Sequence, residues 1–129
     1  MENRLREGIS AVIEKVVDKA ETASSIGSGS VDVYATPAMI ALMENAAKSA
    51  VDLHLTYGDT TVGVEINVKH IRATPAGSRV RCEAVVERVQ GKSITFSIRT
   101  WDEKGLIGEG THIRYMVNIK KFMSSYKIF

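Results

Sequence analysis

Apolar and polar residues alternate over the second half of the chain, which is the pattern of β-strands with one buried face. Turn-forming segments interrupt the alternation at residues 73–77, 90–92 and 102–105, with the sequences ATPAG, QGK and DEKG. The pattern therefore predicts four antiparallel strands. Their apolar positions are Val62, Val64, Ile66 and Val68, continued by His70; Val80, Cys82, Ala84 and Val86; Ile94, Phe96 and Ile98; and Ile113, Tyr115, Val117 and Ile119.

A long helix is predicted before these strands, in the segment ATPAMIALMENAAKSAV. Thr36 followed by Pro37 is a helix-start signal, with an N-cap hydroxyl and then a proline at the first helical position. The helix is expected to run from Pro37 to about Leu55. Its front half, up to Met43, is apolar on all sides, which predicts that this half is buried all round.

The segment from Ile9 to Lys19 carries two conflicting signals. Its apolar residues recur at helical spacing, but they are mostly β-branched, which favours a strand. The residues alone leave both alternatives open. The segment from Glu21 to Asp32 is rich in serine and glycine and is expected to form a loop. One helix followed by a separate set of strands predicts an α+β domain in which the sheet curls around the helix.

Length and charge narrow the class of protein. The chain has 129 residues, which predicts one domain spanning residues 1–129. Its net charge is +2 and its basic and acidic side chains are interspersed, so we expect no nucleic-acid partner. No apolar run approaches the ~20 residues that cross a bilayer, so we expect no membrane partner. Charges throughout the N-terminal segment argue against a signal peptide, and the single cysteine, Cys82, fits a reducing compartment; both favour a cytoplasmic protein.

Three polar residues lie within or beside apolar stretches and are candidates for catalysis. Glu44 follows the apolar run of the helix, and it either marks the point where the helix turns to water or faces a cavity or partner. His70 continues an apolar strand face; it is either a core-edge histidine or a proton-transfer group. N-capping explains Thr36, but a hydroxyl beside the unpaired N–H groups of a helix start can also hold a carbonyl oxygen or a developing anion.

The spacing of these residues limits how they can combine. Thr36 and Glu44 are separated by roughly 12 Å along a helix axis, at about 1.5 Å per residue. A direct hydrogen bond between them within one chain is therefore not expected. If both serve one site, a substrate or a water lies between them, or they come from two chains of an oligomer.

No other pattern indicates a metal or nucleotide site. His54, His70 and His112 lack the close spacing of metal ligands, so no metal is predicted. The glycine-rich segment GLIGEG, residues 105–110, precedes a strand rather than a helix, which argues against a phosphate-binding loop. No G-x-S-x-G nucleophile motif is present.

Three segments together resemble the hotdog-fold thioesterases, and within them the fluoroacetyl-CoA thioesterase-like branch. They are VYATPAMIALMENAA, TTVGVEINVKHIRATPAG and DEKGLIGEGTHIRYMVNIKKF, and they occur in the order typical of that branch. The resemblance covers residues 8–122, nearly the whole chain. It implies an antiparallel β-sheet wrapped around one long central helix, a strand for Ile9 to Lys19, and a homodimer or dimer of dimers with active sites at the subunit interface.

The resemblance also implies an activity and a set of site residues. The reaction would be hydrolysis of an acyl-CoA thioester without a metal or redox cofactor, with coenzyme A entering as part of the substrate. The catalytic threonine, glutamate and histidine of the family correspond to Thr36, Glu44 and His70. The glycine on the strand before the histidine corresponds to Gly63, and the arginine of the T-H-x-R segment to Arg114. Both would contact the substrate.

Several features of the reaction stay open at this level. Glu44 could activate water directly, or Thr36 or Glu44 could attack first and form an acyl-enzyme. The loop before the helix lacks the bulkier aromatic and proline-containing segment associated with the fluoroacetyl-specific enzyme, so no acyl group is assigned. The thiol could belong to coenzyme A or to a carrier protein. Hydration or dehydration of an acyl thioester, and acyl-CoA binding without catalysis, are the alternative functions.

Overall fold

A five-stranded antiparallel sheet and one long helix make up most of the computed structural model, which describes residues 4–126. The last three residues of the predicted C-terminal tail lie outside the described residues. The elements are β1 Ser10–Val16, α1 Ala23–Ile26, α2 Thr36–Asp52, β2 Asp59–His70, β3 Arg79–Gln90, β4 Ser93–Asp102, β5 Gly105–Asn118 and α3 Ile119–Ser124.

The strands are arranged in the order β1-β3-β4-β5-β2. Two-residue connections join β3 to β4 and β4 to β5, as the QGK and DEKG segments predicted. β1 and β2 therefore form the two edges of the sheet, although β2 follows α2 directly in the chain. The predicted α+β class, with the helix and the four strands after it, is confirmed.

The ambiguous N-terminal segment forms the strand β1. It pairs with β3 from Ser10 opposite Val85 to Val16 opposite Arg79. β-Branched residues pack well on a pleated surface. The edge of β3 supplies the backbone hydrogen-bond partners that a strand requires from its neighbour. The segment predicted as a loop contains one helical turn, α1.

Helix α2 packs one face against the sheet, mainly against β1, β3 and β4. Three alanines in that face allow the backbone of the helix to approach the strands closely. The prediction that its front half is buried all round is wrong, because the sheet covers one side only and Pro37 and Ala41 are exposed. The buried face consists of Met39, Leu42, Met43, Ala46, Ala47, Ala50 and Val51, and the strands add Val80, Cys82, Ala84, Val86, Ile94, Phe96, Ile98 and Ile107.

The alternation predicted for β2 is broken in the middle of the strand. A β-bulge shifts its pairing with β5 between Gly63 and Glu65. Thr61 is consequently buried, whereas Val64, predicted to face the core, is 60% exposed. A bulge inserts one extra residue and reverses the faces on its two sides, so a simple period of two cannot describe this strand.

The phase predicted for β5 is also wrong. His112, Arg114 and Met116 face inward and are buried, while Tyr115 is 44% exposed. The apolar residues at alternate positions therefore lie on the outer face, and two polar side chains enter the interior. No helix within residues 4–126 is long and apolar enough to cross a membrane.

Close contact between β2 and β5 depends on Gly110. A Cβ atom at this position would lie 2.1 Å from the carbonyl oxygen of Asn67 and 2.6 Å from Cα of Val68. These neighbours are mostly backbone atoms, so they cannot move aside without separating the strands.

Replacing Gly110 with alanine is expected to lower the free energy of unfolding by about 1–3 kcal/mol or more, because the strands must separate to admit the methyl group. Thr111→Ala, at the exposed neighbouring position of the same strand, is the matched control and should have little effect. Urea denaturation of both variants measures the difference. Equal stability of the two variants would show that the β2–β5 contact is not this close.

Candidate active site

Thr36 and His70 are brought together at one end of β2. Thr36 is the first residue of α2 and His70 the last of β2, and Oγ1 of Thr36 lies 2.8 Å from Nδ1 of His70. The prediction that Thr36 caps the helix is wrong. Ala35 is the N-cap residue and makes no side-chain capping bond, so the Thr36 hydroxyl is available to the imidazole.

A cavity of about 300 Å³ lies beside this pair. Nε2 of His70 is buried and has no hydrogen-bond partner within residues 4–126. Burial lowers the pKa of His70 below its ordinary value, which favours the neutral imidazole. A neutral imidazole can exchange a proton with the Thr36 hydroxyl or with a bound ligand. The cavity is lined by Ala23, Ser28, Val33, Tyr34, Thr36, His70, Ile71, Arg72 and Ala73.

A second group of polar residues, Glu44, His112 and Arg114, surrounds Gly63. A Cβ atom on Gly63 would lie 2.8 Å from Oε2 of Glu44, 3.2 Å from Cε1 of His112 and 3.4 Å from Nη1 of Arg114. A side chain here would therefore displace the Glu44 carboxylate. These residues border a second cavity, of about 210 Å³, lined by Glu44, Gly63, Val64, Glu65, Ile66 and His112.

The guanidinium of Arg114 is buried and held on several sides. Its Nε donates to Oγ1 of Thr61 at 2.7 Å, and its Nη2 donates to the Thr61 carbonyl at 3.0 Å. Nη1 lies 3.1 Å from Nε2 of His112 and 3.8 Å from Oε2 of Glu44. Burial lowers the pKa of Arg114 and the Glu44 carboxylate opposes this shift, and an arginine with such partners stays charged.

Glu44 lies at the edge of this group rather than deep in the core. Its side chain is 45% exposed, compared with 8% for Arg114. Glu44 thus presents a carboxylate to the surface beside a fixed positive charge. Both interpretations of Glu44 made from the sequence apply in part, because the helix turns toward water here and the carboxylate also faces a cavity.

His112 is a member of the site that sequence reasoning considered only as a metal ligand. Its Nδ1 lies 2.7 Å from the carbonyl oxygen of Glu65. Burial lowers its pKa, and Arg114 acts in the same direction. The signal that could have found it is its spacing: His112 and Arg114 are two residues apart in a strand and must therefore share a face.

The five residues suggested by the sequence thus fall into two groups. Thr36 pairs with His70, and Glu44 lies with Gly63 and Arg114. Within residues 4–126, no hydrogen bond or ion pair joins Thr36 to Glu44, in keeping with their separation along the helix. No group of three or more His, Cys, Asp or Glu side chains in the described part of the chain could hold a metal ion.

Comparisons with known proteins agree on the fold. The fluoroacetyl-CoA thioesterase FlK superposes with a TM-score of 0.89 at 29% identity, over 95% of this chain and 96% of that chain. A thioesterase superfamily member from Thermus thermophilus gives a TM-score of 0.87 at 29% identity, over 95% and 90% of the two chains. A hot-dog-like protein from Thermanaerovibrio acidaminovorans, 22% identical, shares the fold with a TM-score of 0.86. The sheet and central helix are therefore a hotdog fold.

Sequence comparison identifies the family. A fluoroacetyl-CoA thioesterase from Streptantibioticus cattleyicolor is 35% identical over 91 residues, which are 70% of this chain and 66% of that enzyme. The aligned region thus spans slightly less than two thirds of the relative's own length. Residues 17–120 match the family of the fluoroacetyl-CoA-specific thioesterase FlK. The chain therefore belongs to this family of thioester hydrolases.

Proposed function

We propose that this protein is an acyl-CoA thioesterase that hydrolyses a thioester to the free acid and coenzyme A. The family supports the reaction class, and one observation carries the assignment to this site. That observation is the hydrogen bond between Thr36 and His70, two residues that line the same cavity. A hydroxyl beside a neutral imidazole is an arrangement that can activate a nucleophile for acyl transfer.

We further propose that the complete active site forms between two subunits. Within the described residues, one edge of β2 pairs with β5 and its other edge has no strand beside it. An unpaired edge that carries an exposed apolar residue such as Val64 is suited to pair with a second copy. Closed two-fold dimers are the commonest homo-oligomers.

Antiparallel pairing of two β2 strands would unite the two groups of residues. With a two-fold axis at Asn67, Asn67 lies opposite its own copy and Glu65 lies opposite the partner's Lys69. The extra residue at the β2 bulge then brings Gly63 opposite His70 of the partner subunit. Thr36 lies beside His70 through their hydrogen bond, and Glu44 of the other subunit lies beside its own Gly63. The pairing of Gly63 with His70 therefore brings Glu44 and Thr36 to the same site. Two equivalent sites result, each with a hydroxyl and imidazole from one subunit and a carboxylate and guanidinium from the other.

Two routes through this site give the same products. In the first, Glu44 takes a proton from water as the water oxygen attacks the thioester carbon. In the second, the oxygen of Thr36 attacks while His70 takes its proton, and water later hydrolyses the acyl-enzyme. In both, the C–S bond of the tetrahedral intermediate breaks and the sulfur leaves as thiol or thiolate. Neither route uses a metal or a redox cofactor.

Positive charge near the thioester carbonyl would stabilise the intermediate. The start of α2 at Thr36 carries the positive end of the helix dipole. The Arg114 guanidinium adds a charge that is held by its hydrogen bonds to Thr61 and by His112. Groups that are already in place when negative charge develops stabilise it without a reorganisation cost.

The acyl group is a separate question from the reaction. Fluoroacetyl-CoA is the substrate in the names of the relatives. In this chain the segment before α2 contributes Ala23, Ser28, Val33 and the aromatic Tyr34 to the cavity beside Thr36, which does not single out one acyl group. A panel of acyl-CoAs is therefore the appropriate first experiment.

Thiol release should be detected from at least one member of a panel containing acetyl-, fluoroacetyl-, branched, aromatic and long-chain acyl-CoAs. With that substrate, Glu44→Gln is expected to lower kcat by about 10²–10⁴, because the amide cannot accept a proton. Lys48→Gln, one turn further along α2, is the control and should retain activity.

An enoyl-CoA that is consumed without thiol release would instead indicate a hydratase. Thermal stabilisation by acyl-CoA without any turnover would indicate a binding protein. Wild-type kcat in Glu44→Gln would exclude this carboxylate from the reaction.

Placing a charge on the free edge of β2 is expected to weaken the dimer. Val64→Asp should shift sedimentation toward the monomer, since the two copies would bring like charges together beside the paired strands. Val12→Asp is the matched control, because Val12 is 48% exposed on β1, the opposite edge of the sheet. Dissociation by Val12→Asp alone would place the interface on β1 and contradict the proposed assembly.

A further inference from the structure

His112 can satisfy both of its hydrogen bonds in only one protonation state. The carbonyl oxygen of Glu65, 2.7 Å from Nδ1, can only accept, so Nδ1 must carry a proton. The guanidinium of Arg114, 3.1 Å from Nε2, can only donate, so Nε2 must be unprotonated. The neutral Nδ1–H tautomer is thus fixed by its two partners.

These two hydrogen bonds connect the His112 ring to the β2 backbone beside the bulge and to the Arg114 guanidinium. The bond to Glu65 holds the backbone on the far side of the β2 bulge from Gly63. The bond to Arg114 fixes Nη1, the nitrogen that lies nearest Glu44. The ring also stacks on Phe96, with centroids 6.1 Å apart, which restricts its rotation.

Without His112, Arg114 would retain its two bonds to Thr61 but lose the acceptor of Nη1. Turning the guanidinium about its Nε–Thr61 contact, toward Glu44 or away from it, would then be opposed only by the Nη2 bond to the Thr61 carbonyl. The separation of 3.8 Å between Nη1 and Oε2 shows that Glu44 alone does not hold this nitrogen by a hydrogen bond.

We propose that His112 is a positioning residue, which holds the Arg114 guanidinium and the β2 bulge so that Arg114, Gly63 and Glu44 face one another in the active site. This role rests on the proposed thioesterase function. His112 acts through Arg114 and the backbone, and it is distinct from His70, which pairs with the Thr36 hydroxyl at the other end of β2.

Protonation of His112 would oppose this arrangement. A proton on Nε2 would point at Arg114 and create two adjacent positive charges. The charged groups that face the ring are Arg114 on β5, which disfavours protonation, and Glu44 on α2, which favours it. Burial has the largest effect and lowers the pKa of His112, although the hydrogen bond to the Glu65 carbonyl raises it, so the required neutral form prevails at neutral pH.

Two substitutions separate the two contacts of the ring. Asparagine retains a donor near the position of Nδ1 but lacks an acceptor at Nε2, whereas glutamine can place its side-chain oxygen near Nε2. His112→Asn is expected to lower kcat by up to about a hundredfold with a much smaller change in KM. His112→Gln should recover most of this loss. His54→Asn, outside both groups, is the control and should leave kcat unchanged.

Wild-type kcat in His112→Asn, or equal losses in the Asn and Gln variants at matched melting temperature, would overturn the proposal while leaving the thioesterase function intact. If His112→Asn does not fold, the comparison is made between His112→Gln and His112→Phe, which keeps the contact with Phe96 but neither hydrogen bond. Equal kcat in those two variants would likewise overturn it.

A measurement without substrate separates the proposal from the reaction. In ¹⁵N-labelled protein, the His112 ring should show the neutral Nδ1–H tautomer at neutral pH and should titrate below its ordinary value of about 6.5. The signal is assigned by its loss in His112→Gln. An Nε2–H tautomer, or a charged ring at neutral pH, would contradict the proposed hydrogen bonds even if the wild-type enzyme hydrolyses no thioester tested.

Discussion

A buried positive charge determines how one side of this fold is built. Arg114 enters the interior from β5 and is only 6% exposed, so its charge must be neutralised and its donors must be bonded. Thr61 accepts two hydrogen bonds from it, His112 lies against Nη1 and Glu44 supplies the opposite charge. The absence of a side chain at Gly63 leaves room for the Glu44 carboxylate beside it.

The same requirement explains why the polar residues form two groups rather than one. Arg114 draws Glu44 to the middle of β2, whereas His70 ends that strand and bonds to the first residue of α2. The helix is rigid, so its two functional residues cannot approach each other within one subunit. A two-fold arrangement about the free edge of β2 offers a direct way to combine both groups in one site. The oligomer is thus proposed to be part of the catalytic apparatus.

The sequence predicted those features that depend on regular local patterns. Apolar alternation located β3 and β4 with the correct buried faces, since the predicted stretches around Cys82 and Phe96 lie outside the bulges of these strands and keep a period of two. The Thr36–Pro37 signal placed the start of the helix within one residue. The β-branched segment at Ile13 became a strand because β3 was available to pair with it, a tertiary contact that periodicity does not encode.

The sequence failed where tertiary contacts override a local pattern. The bulge near Val64 reversed the faces of β2; apolar alternation does not reveal it, although Gly63 is a residue type that often accompanies a bulge. Alternation predicts apolar residues on the inward face of β5, yet the interior there takes His112 and Arg114, whose polar groups find hydrogen-bond partners on β2. The site residues were named through the family resemblance, whereas their division into two groups emerges from the structure.

Mixing subunits tests the central claim that each active site draws on two chains. Thr36→Ala and Glu44→Gln proteins, each first shown to be inactive alone, are dissociated and reassociated in equal amounts. Random pairing should restore about a quarter of wild-type activity, since half of the dimers are mixed and each mixed dimer has one intact site. A mixture of Thr36→Ala with His70→Ala should remain inactive, because both residues belong to the same half of the site. No recovery in the first mixture, with mixed dimers demonstrated by mass spectrometry, would contradict a shared active site.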